Sequence, residues 1–442
     1  MKRPAAARCR VLTMPTPGTR DSARGVLVML ASVLAWVVVR YFQLKYAGQG
    51  IGNDVGLYHS YARSWATGGV PYVDFQPEYP PGALLVFLLP LFWGADYAKS
   101  FAIEMALFDL AACLVVVAWA RRLFPESRRA PWQQLIVYLS MTAALYPVLY
   151  TRFDLAPASI ALGALYLVYL NRWRLGLFLL GFAGAVKLWP LGLMPMALFY
   201  VWRRRDLLRL VRASSWAALG LVAPALCFMP QAGWNVLNFL KYHAARGIEI
   251  GSTWSTTALT LNLLGIAPAQ AVHEFGAFHA KGHAATIFAA ISMPVMVLCT
   301  LAPQVRAAWT VGRIGDVAGR VGIVTACASI LGFVIGGKVL SPQFALWLAP
   351  FLPLAMDGPI WATVAVLSAV LTTAEYPILA AALEMLEPGH AKAVIIVGIR
   401  NVLFVALYVA AFRRIGRSSR SRSESHPSGC SEAAPLGDAR LR

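Results

Sequence analysis

Apolar residues in this chain gather into long runs separated by short basic segments. The first run, Val26–Tyr46, is close to continuous, and a bilayer-spanning helix needs roughly 20 such residues. Lys2, Arg3, Arg8, Arg10, Arg20 and Arg24 precede it, and no A-x-A cleavage pattern follows closely, so it reads as an uncleaved anchor. Further runs begin near residues 82, 100, 132, 155, 175, 210, 284, 320, 341, 358 and 392. Two depart from the length of a span. Gly82–Gly94 is short and predicts a juxtamembrane or re-entrant helix. Leu175–Trp202 is long, with Lys187 and Pro190 at its middle, and predicts two short helices joined by a turn near Lys187.

With those two assignments every basic segment falls on one face of the membrane: the N-terminus, Arg121–Arg129, Arg172–Arg174, Arg203–Arg212, Arg306–Arg320 and the stretch from Arg413 onward. These hold 27 of the 39 basic residues but, counting Asp357, only 8 of the 20 acidic ones. Basic loops mark the cytoplasmic side. The pattern therefore predicts an all-α polytopic integral membrane protein of about twelve spans with both termini cytoplasmic. Its parts are a basic N-terminus (1–25), a membrane-embedded body (26–412) and a Ser/Arg-rich disordered cytoplasmic tail (413–442). Two long extracytoplasmic loops, about 47–99 and 231–283, carry amphipathic stretches suited to the interface. Loops of that length are functional or disordered, and Trp65, Tyr72, Phe75, Tyr79, Trp234, Phe239, Tyr242 and Trp254 favour packed, functional ones.

Composition agrees. Of 442 residues 59% are hydrophobic and 13% charged, with mean hydropathy +0.61, whereas soluble domains carry about 25% charged residues. A soluble enzyme and a disordered chain are both excluded. The net charge of +19 sits in the basic loops, so it orients the chain in the membrane and is no nucleic-acid footprint. Six scattered cysteines without a CxxC indicate neither a disulfide framework nor a metal site. No P-loop or dinucleotide fingerprint occurs, so chemistry on soluble nucleotides and a bound cofactor are not expected.

Candidate chemistry lies in the two loops and at the helix ends facing them. Asp54, in Gly52-Asn53-Asp54-Val55-Gly56-Leu57-Tyr58, stands just past the first span. It either caps a helix running to about Thr67 or acts as a general base on a hydroxyl. Asp74 and Glu78 lie in the proline-fixed segment Gly69–Gly82, as solvated loop acids or as contacts to a polar acceptor. Lys187 and Lys338 interrupt apolar sequence at predicted outward helix ends, where a lysine either meets a lipid phosphate or snorkels. Arg152 and Asp154 share one short turn and make either a local ion pair or part of a site. His243 and Arg246, three apart on a helix, can grip a phosphate, and Glu249 can serve an acceptor hydroxyl. Glu104 and Asp109 inside the second long run need partners, with Arg400 in the last span as one choice. His273, His279 and His283 are too irregularly spaced for a metal site.

In order along the chain, these segments resemble glycosyltransferase family 87, polyprenol-phosphate-sugar-dependent enzymes of the membrane-embedded C class (GT-C). The matching pieces are Asp54…Tyr58 through Tyr72…Glu78-Tyr79-Pro80-Pro81, the turn Arg152-Phe153-Asp154 and Lys187-Leu188-Trp189-Pro190. Tyr242-His243…Arg246-Gly247-Ile248-Glu249…Ser252 and Lys338…Ser341-Pro342-Gln343…Trp347…Pro350 complete the set. The resemblance spans about residues 25–412. It implies a GT-C fold in the plasma membrane and transfer of a sugar, mannose, from a polyprenyl-phosphate donor to a lipid-linked or extracytoplasmic glycan acceptor. Asp54 is then the base of an inverting reaction. Lys187, Lys338, Arg152, His243 and Arg246 are the cations for the donor phosphate, with the two lysines ranked first. Glu78, Tyr58, Glu249 and Gln343 fall to the acceptor. The first loop has no D-x-D pair, so no metal is implied. The rival class is a transporter or flippase for a lipid-linked sugar, which internal repeats would favour; the two halves of the chain show no corresponding Gly/Pro breaks.

Overall fold

The computed structural model describes residues 19–46, 54–94, 96–202, 206–311, 319–384 and 391–417. The chain forms α1 (Thr19–Tyr46), α2 (Val55–Ala66), α3 (Pro81–Leu88), α4 (Tyr97–Leu123), α5 (Ala130–Ala144), α6 (Tyr146–Leu149), α7 (Leu155–Tyr169), α8 (Trp173–Val186), α9 (Met194–Trp202) and α10 (Leu207–Leu226). There follow α11 (Met229–Ala232), α12 (Asn238–Ala245), strand β1 (Ile248–Glu249), α13 (Thr253–Leu263), strands β2 (Gln270–Glu274) and β3 (Ala277–Lys281), and α14 (His283–Val311). Last come α15 (Arg320–Gly336), α16 (Ala345–Leu348), α17 (Leu352–Ala355), α18 (Pro359–Glu384) and α19 (Ala391–Arg417).

Among the described residues four helices are long and apolar enough to cross a membrane: Ala23–Gln43, Tyr97–Leu123, His283–Thr310 and Ala391–Ile415. Leu207–Leu226 and Met229–Ala245 add a fifth span if their pair, bent by 59°, crosses as one. The other apolar helices are shorter, from 10 to 17 residues. Length and composition thus support four or five spans outright, against the expected twelve. The anticipated break at Lys187 is present: α8 ends at Val186, Lys187 is extended, and a 3₁₀ turn Trp189–Leu193 leads into α9. Gly82–Gly94 forms α3 and a 3₁₀ turn, Leu89–Phe92. The helix of the first run begins at Thr19, and α19 continues to Arg417, so the start of the expected tail is helical. The basic N-terminus up to residue 18 and the tail from residue 418 lie outside the described residues.

The expected all-α fold is broken by one small antiparallel sheet of order β1-β3-β2. Glu274 pairs with Ala277 across the two-residue turn Phe275-Gly276, both at positive φ, the mirror-image turn that suits tight hairpins. In β1, Glu249 pairs with His279 of β3.

Helices meet where glycine lets backbones touch. A Cβ on Gly181 would overlap the Ala217 carbonyl of α10, and one on Gly220 would overlap the Phe178 carbonyl of α8. Close approach through small residues replaces the missing hydrophobic drive between helices in lipid. At Gly82 an added Cβ would lie 2.7 Å from the Ala185 carbonyl, so α3 sits hard against the end of α8, one residue before the Lys187 break.

Two buried ion pairs tie spans together. Asp109 of α4 accepts Arg40 Nε at 2.5 Å, Arg40 Nη2 at 3.0 Å, Trp36 Nε1 at 2.6 Å and the Tyr138 hydroxyl at 2.6 Å, joining α1, α4 and α5. Arg400 of α19 holds Glu375 of α18 at 2.5 Å and donates to the Gly251 carbonyl. The suggested pairing of Arg400 with Glu104 or Asp109 is therefore corrected. Glu104 keeps both carboxyl oxygens buried without a hydrogen-bond partner.

Candidate functional site

α2 begins at Asp54, yet the side chain makes no capping hydrogen bond. Its carboxylate instead pairs with Arg152 from the α6–α7 turn. The sequence places the two together through an aromatic cluster. Val55, Tyr58 and Ala62 form the buried stripe of α2, and Tyr58 stacks on Phe87 of α3 at 4.3 Å between ring centres and 8° between planes. Phe153 stands edge-on to Tyr58 at 5.5 Å, to Phe87 at 5.1 Å and to Tyr79 at 5.0 Å. Offset and edge-on aromatic pairs add to area burial. With Phe153 locked in this cluster, its neighbours Arg152 and Asp154 take different partners.

Asp154 does not pair with Arg152 as a local ion pair would require. Its Oδ1 accepts the Lys187 ammonium at 2.5 Å and the Trp347 indole N–H at 2.7 Å. Lys187 also lies over the rings of Phe153, Trp347 and Phe344, at 4.6, 5.4 and 5.5 Å, contacts that stabilise a cation further. Trp347 in turn stacks on Trp189 at 5.2 Å and Phe344 at 3.8 Å. Arg152 and Lys187 are within electrostatic reach of one another. The core of the site is thus two cations, each held by a carboxylate, crossing through one turn.

The proline-rich segment brings Glu78 to the same place. Tyr72, at φ 68°, closes a tight loop in which its N–H donates to the Phe75 carbonyl at 2.8 Å and its hydroxyl to the Tyr79 carbonyl at 2.8 Å. Asp74 is consumed within that loop, accepting the Val70 N–H at 2.7 Å. Glu78 then faces Tyr242 and His243 of α12.

The expected grouping of His243 and Arg246 on one helical face is corrected: α12 ends at Ala245 and Arg246 is extended. Arg246 lies over the Tyr242 ring at 5.9 Å. Lys338 donates to the Ala244 and Arg246 carbonyls at 2.9 and 2.6 Å, so it caps the C-terminus of α12, where a helix leaves carbonyls unsatisfied. Burial, with Arg246 near, lowers the Lys338 pKa. Glu249 Oε1 accepts the Ser341 hydroxyl at 2.6 Å, and the Glu249 N–H donates to the Lys338 carbonyl at 2.8 Å. Glu249 Oε2 and Gln343 Oε1 are buried without a partner. Tyr58, at 1% exposure, belongs to the aromatic core; its hydroxyl reaches Asp54 Oδ2 only at 3.5 Å.

The candidate residues therefore form two groups: Asp54, Arg152, Asp154 and Lys187 in one, and Arg246, Glu249 and Lys338 in the other, with Gln343 two residues beyond Ser341, the partner of Glu249. Glu78 and His243 stand between. Asp154 and Trp347, which fix Lys187, carry roles that residue type alone did not reveal. Among the described residues no three His, Cys, Asp or Glu side chains converge as a metal site.

No protein-family model matches the sequence, and no curated protein matches it. Among solved structures, ArnT from Cupriavidus metallidurans bound to undecaprenyl phosphate aligns with TM-score 0.46 and 15% identity, over 91% of this chain and 79% of that one. Arabinosyltransferase EmbB from Mycobacterium smegmatis aligns with TM-score 0.31 and 14% identity, over 96% of this chain and 50% of its own. Likeness at this level assigns no chemistry.

Proposed function

We propose that this protein is a membrane glycosyltransferase of the GT-C kind. It moves a sugar, mannose, from a polyprenyl-phosphate donor to a lipid-linked or extracytoplasmic glycan acceptor, on the extracytoplasmic side of the plasma membrane. The observation that carries the reading is the convergence of Asp54 with Arg152 and the Lys187–Asp154 pair. A carboxylate not used by its own helix is paired with Arg152, and the turn that carries Arg152 also holds Lys187 through Asp154, so a candidate base and two cations for a departing phosphate are gathered around one turn.

In the reaction, Asp54 takes the proton of the acceptor hydroxyl. The oxygen attacks the anomeric carbon from the face opposite the phosphate, the bond from that carbon to the phosphate oxygen breaks, and the configuration inverts. Polyprenyl phosphate leaves with its new charge met by Arg152 and Lys187. Glu78 and Glu249, aided by Gln343, orient the acceptor. Lys338, His243 and Arg246 shape the mouth of the site.

The test is sugar transfer by purified protein from synthetic polyprenyl-phosphate mannose to a mixed lipid extract, wild type beside Asp54→Asn. Product from wild type, with at least ~100-fold less from the variant, supports the reading. Near-normal transfer by a folded Asp54→Asn protein discards Asp54 as base. No transfer from mannosyl, arabinosyl or glucosyl donors, together with movement of the lipid-linked sugar across liposomes, replaces the enzyme with a carrier.

A further inference from the structure

Both cations of the first group have their charge already taken. Arg152 is held by Asp54, with side-chain exposures of 11% and 28%, and Lys187 by Asp154, with 16% and 1%. The two pairs differ in how firmly the carboxylate is fixed. Asp154 is fully enclosed and receives a second donor from Trp347. Asp54 opens α2 without a capping bond and is the more exposed partner. An anion arriving between the cations can draw Arg152 away from Asp54 far more cheaply than it can draw Lys187 from Asp154.

We infer that donor binding is coupled to release of the base: the donor phosphate exchanges for Asp54 as the partner of Arg152, and only then is the Asp54 carboxylate free to accept a hydroxyl proton. This deepens the proposed function and rests on it. A guanidinium offers a planar fork suited equally to carboxylate and phosphate, so one ion pair is broken and another made, with Arg152 left beside the leaving group. Lys187, anchored by Asp154 and its aromatic cage, supplies the fixed charge against which the exchange takes place. The arrangement keeps the base occupied until a donor is present, so the hydroxyl of water or of an acceptor is not activated in its absence.

Coupling of this kind has a signature that plain charge attraction lacks. Because the phosphate must displace Asp54, removing the carboxylate strengthens phosphate binding, and does so through Arg152. The experiment measures the Kd of undecaprenyl phosphate for protein in lipid nanodiscs, in a double-mutant cycle of Asp54→Asn and Arg152→Gln, with folding checked by thermal unfolding. Asp54→Asn is expected to tighten binding about tenfold when Arg152 is present and less than twofold in the Arg152→Gln protein, the size of coupling seen between contacting charges. Arg152→Met, which keeps the apolar stem, serves if Arg152→Gln does not fold. Equal tightening in both backgrounds is repulsion alone and overturns the exchange, as does no tightening in either. Absence of saturable binding by wild type is a separate outcome, which removes the polyprenyl-phosphate reading itself and the exchange with it.

Discussion

Asp154 Oδ1 holds the Lys187 ammonium at 2.5 Å while also accepting the Trp347 N–H at 2.7 Å. A lysine at the break between α8 and the following 3₁₀ turn is thereby paired with a carboxylate among aromatic rings. The pair links three segments that are distant in sequence: the α6–α7 turn, the end of α8 and α16.

Breaking this pair from one side leaves an uncompensated buried charge, which costs about 3–5 kcal/mol. Asp154→Asn should therefore unfold at a clearly lower temperature than wild type, and Asp154→Asn with Lys187→Met should recover part of the loss. A double variant less stable than the single one would show that the ion pair is not what Lys187 contributes to folding.

The two lysines ranked together on sequence grounds should separate in binding. Lys187 faces the same turn as Arg152, whereas two donors of Lys338 are spent on the Ala244 and Arg246 carbonyls. Losing a hydrogen bond to a charged group costs about 1.5–3 kcal/mol. Lys187→Met should thus weaken undecaprenyl phosphate binding by roughly 10- to 100-fold, and Lys338→Met by about threefold or less. Equal losses, read by the same nanodisc titration, would return Lys338 to the phosphate site.

These two cases show what the sequence could tell and where it stopped. Apolar run length and the break in Leu175–Trp202 follow from bilayer thickness and from the cost of Lys and Pro in a helix, so the Lys187 turn was legible. Asp54 at the mouth of α2 was legible for the same reason: the anchor ends just before it. Pairings were not. Arg152 and Asp154 are two residues apart, yet the packing of Phe153 against Tyr58 and Phe87 sends them to different partners. Arg400 finds Glu375, a residue inside an apolar run with no motif to mark it. The β2–β3 hairpin was hidden because its polar and apolar positions are too few to separate a strand from an amphipathic stretch, although Phe275-Gly276 is a turn signal.

Arg40 and Asp109 test whether a buried network far from the site is structural. Asp109 is fully enclosed, and four of its hydrogen bonds come from α1 and α5. Arg40→Met should destabilise by about 3–5 kcal/mol, read as a fall in the unfolding midpoint, with undecaprenyl phosphate affinity of the remaining folded protein unchanged. A change in affinity larger than about threefold would place α1 within the binding site.

His279 gives a pH dependence whose sign follows from its setting. It is fully buried in β3 opposite Glu249, and neither ring nitrogen has a well-aligned hydrogen-bond partner. Burial first, and the Arg246 guanidinium second, lower its pKa, against the opposing pull of Glu249, the Ala277 backbone and Glu274. In the unfolded chain the imidazole takes up its proton near pH 6.5, whereas in the folded chain it does so only at lower pH. Below about pH 6.5 the unfolded state binds more protons. Stability is therefore full above that pH and falls as the pH drops toward the folded value, by at most about 1.4 kcal/mol per pH unit for this one group. His279→Phe removes the titration and keeps a ring of similar shape. Unfolding midpoints measured from pH 7.5 to 5 should decline less steeply for the variant than for wild type. Parallel lines would mean that His279 is protonated or hydrogen-bonded in the folded protein and that the acid sensitivity lies elsewhere.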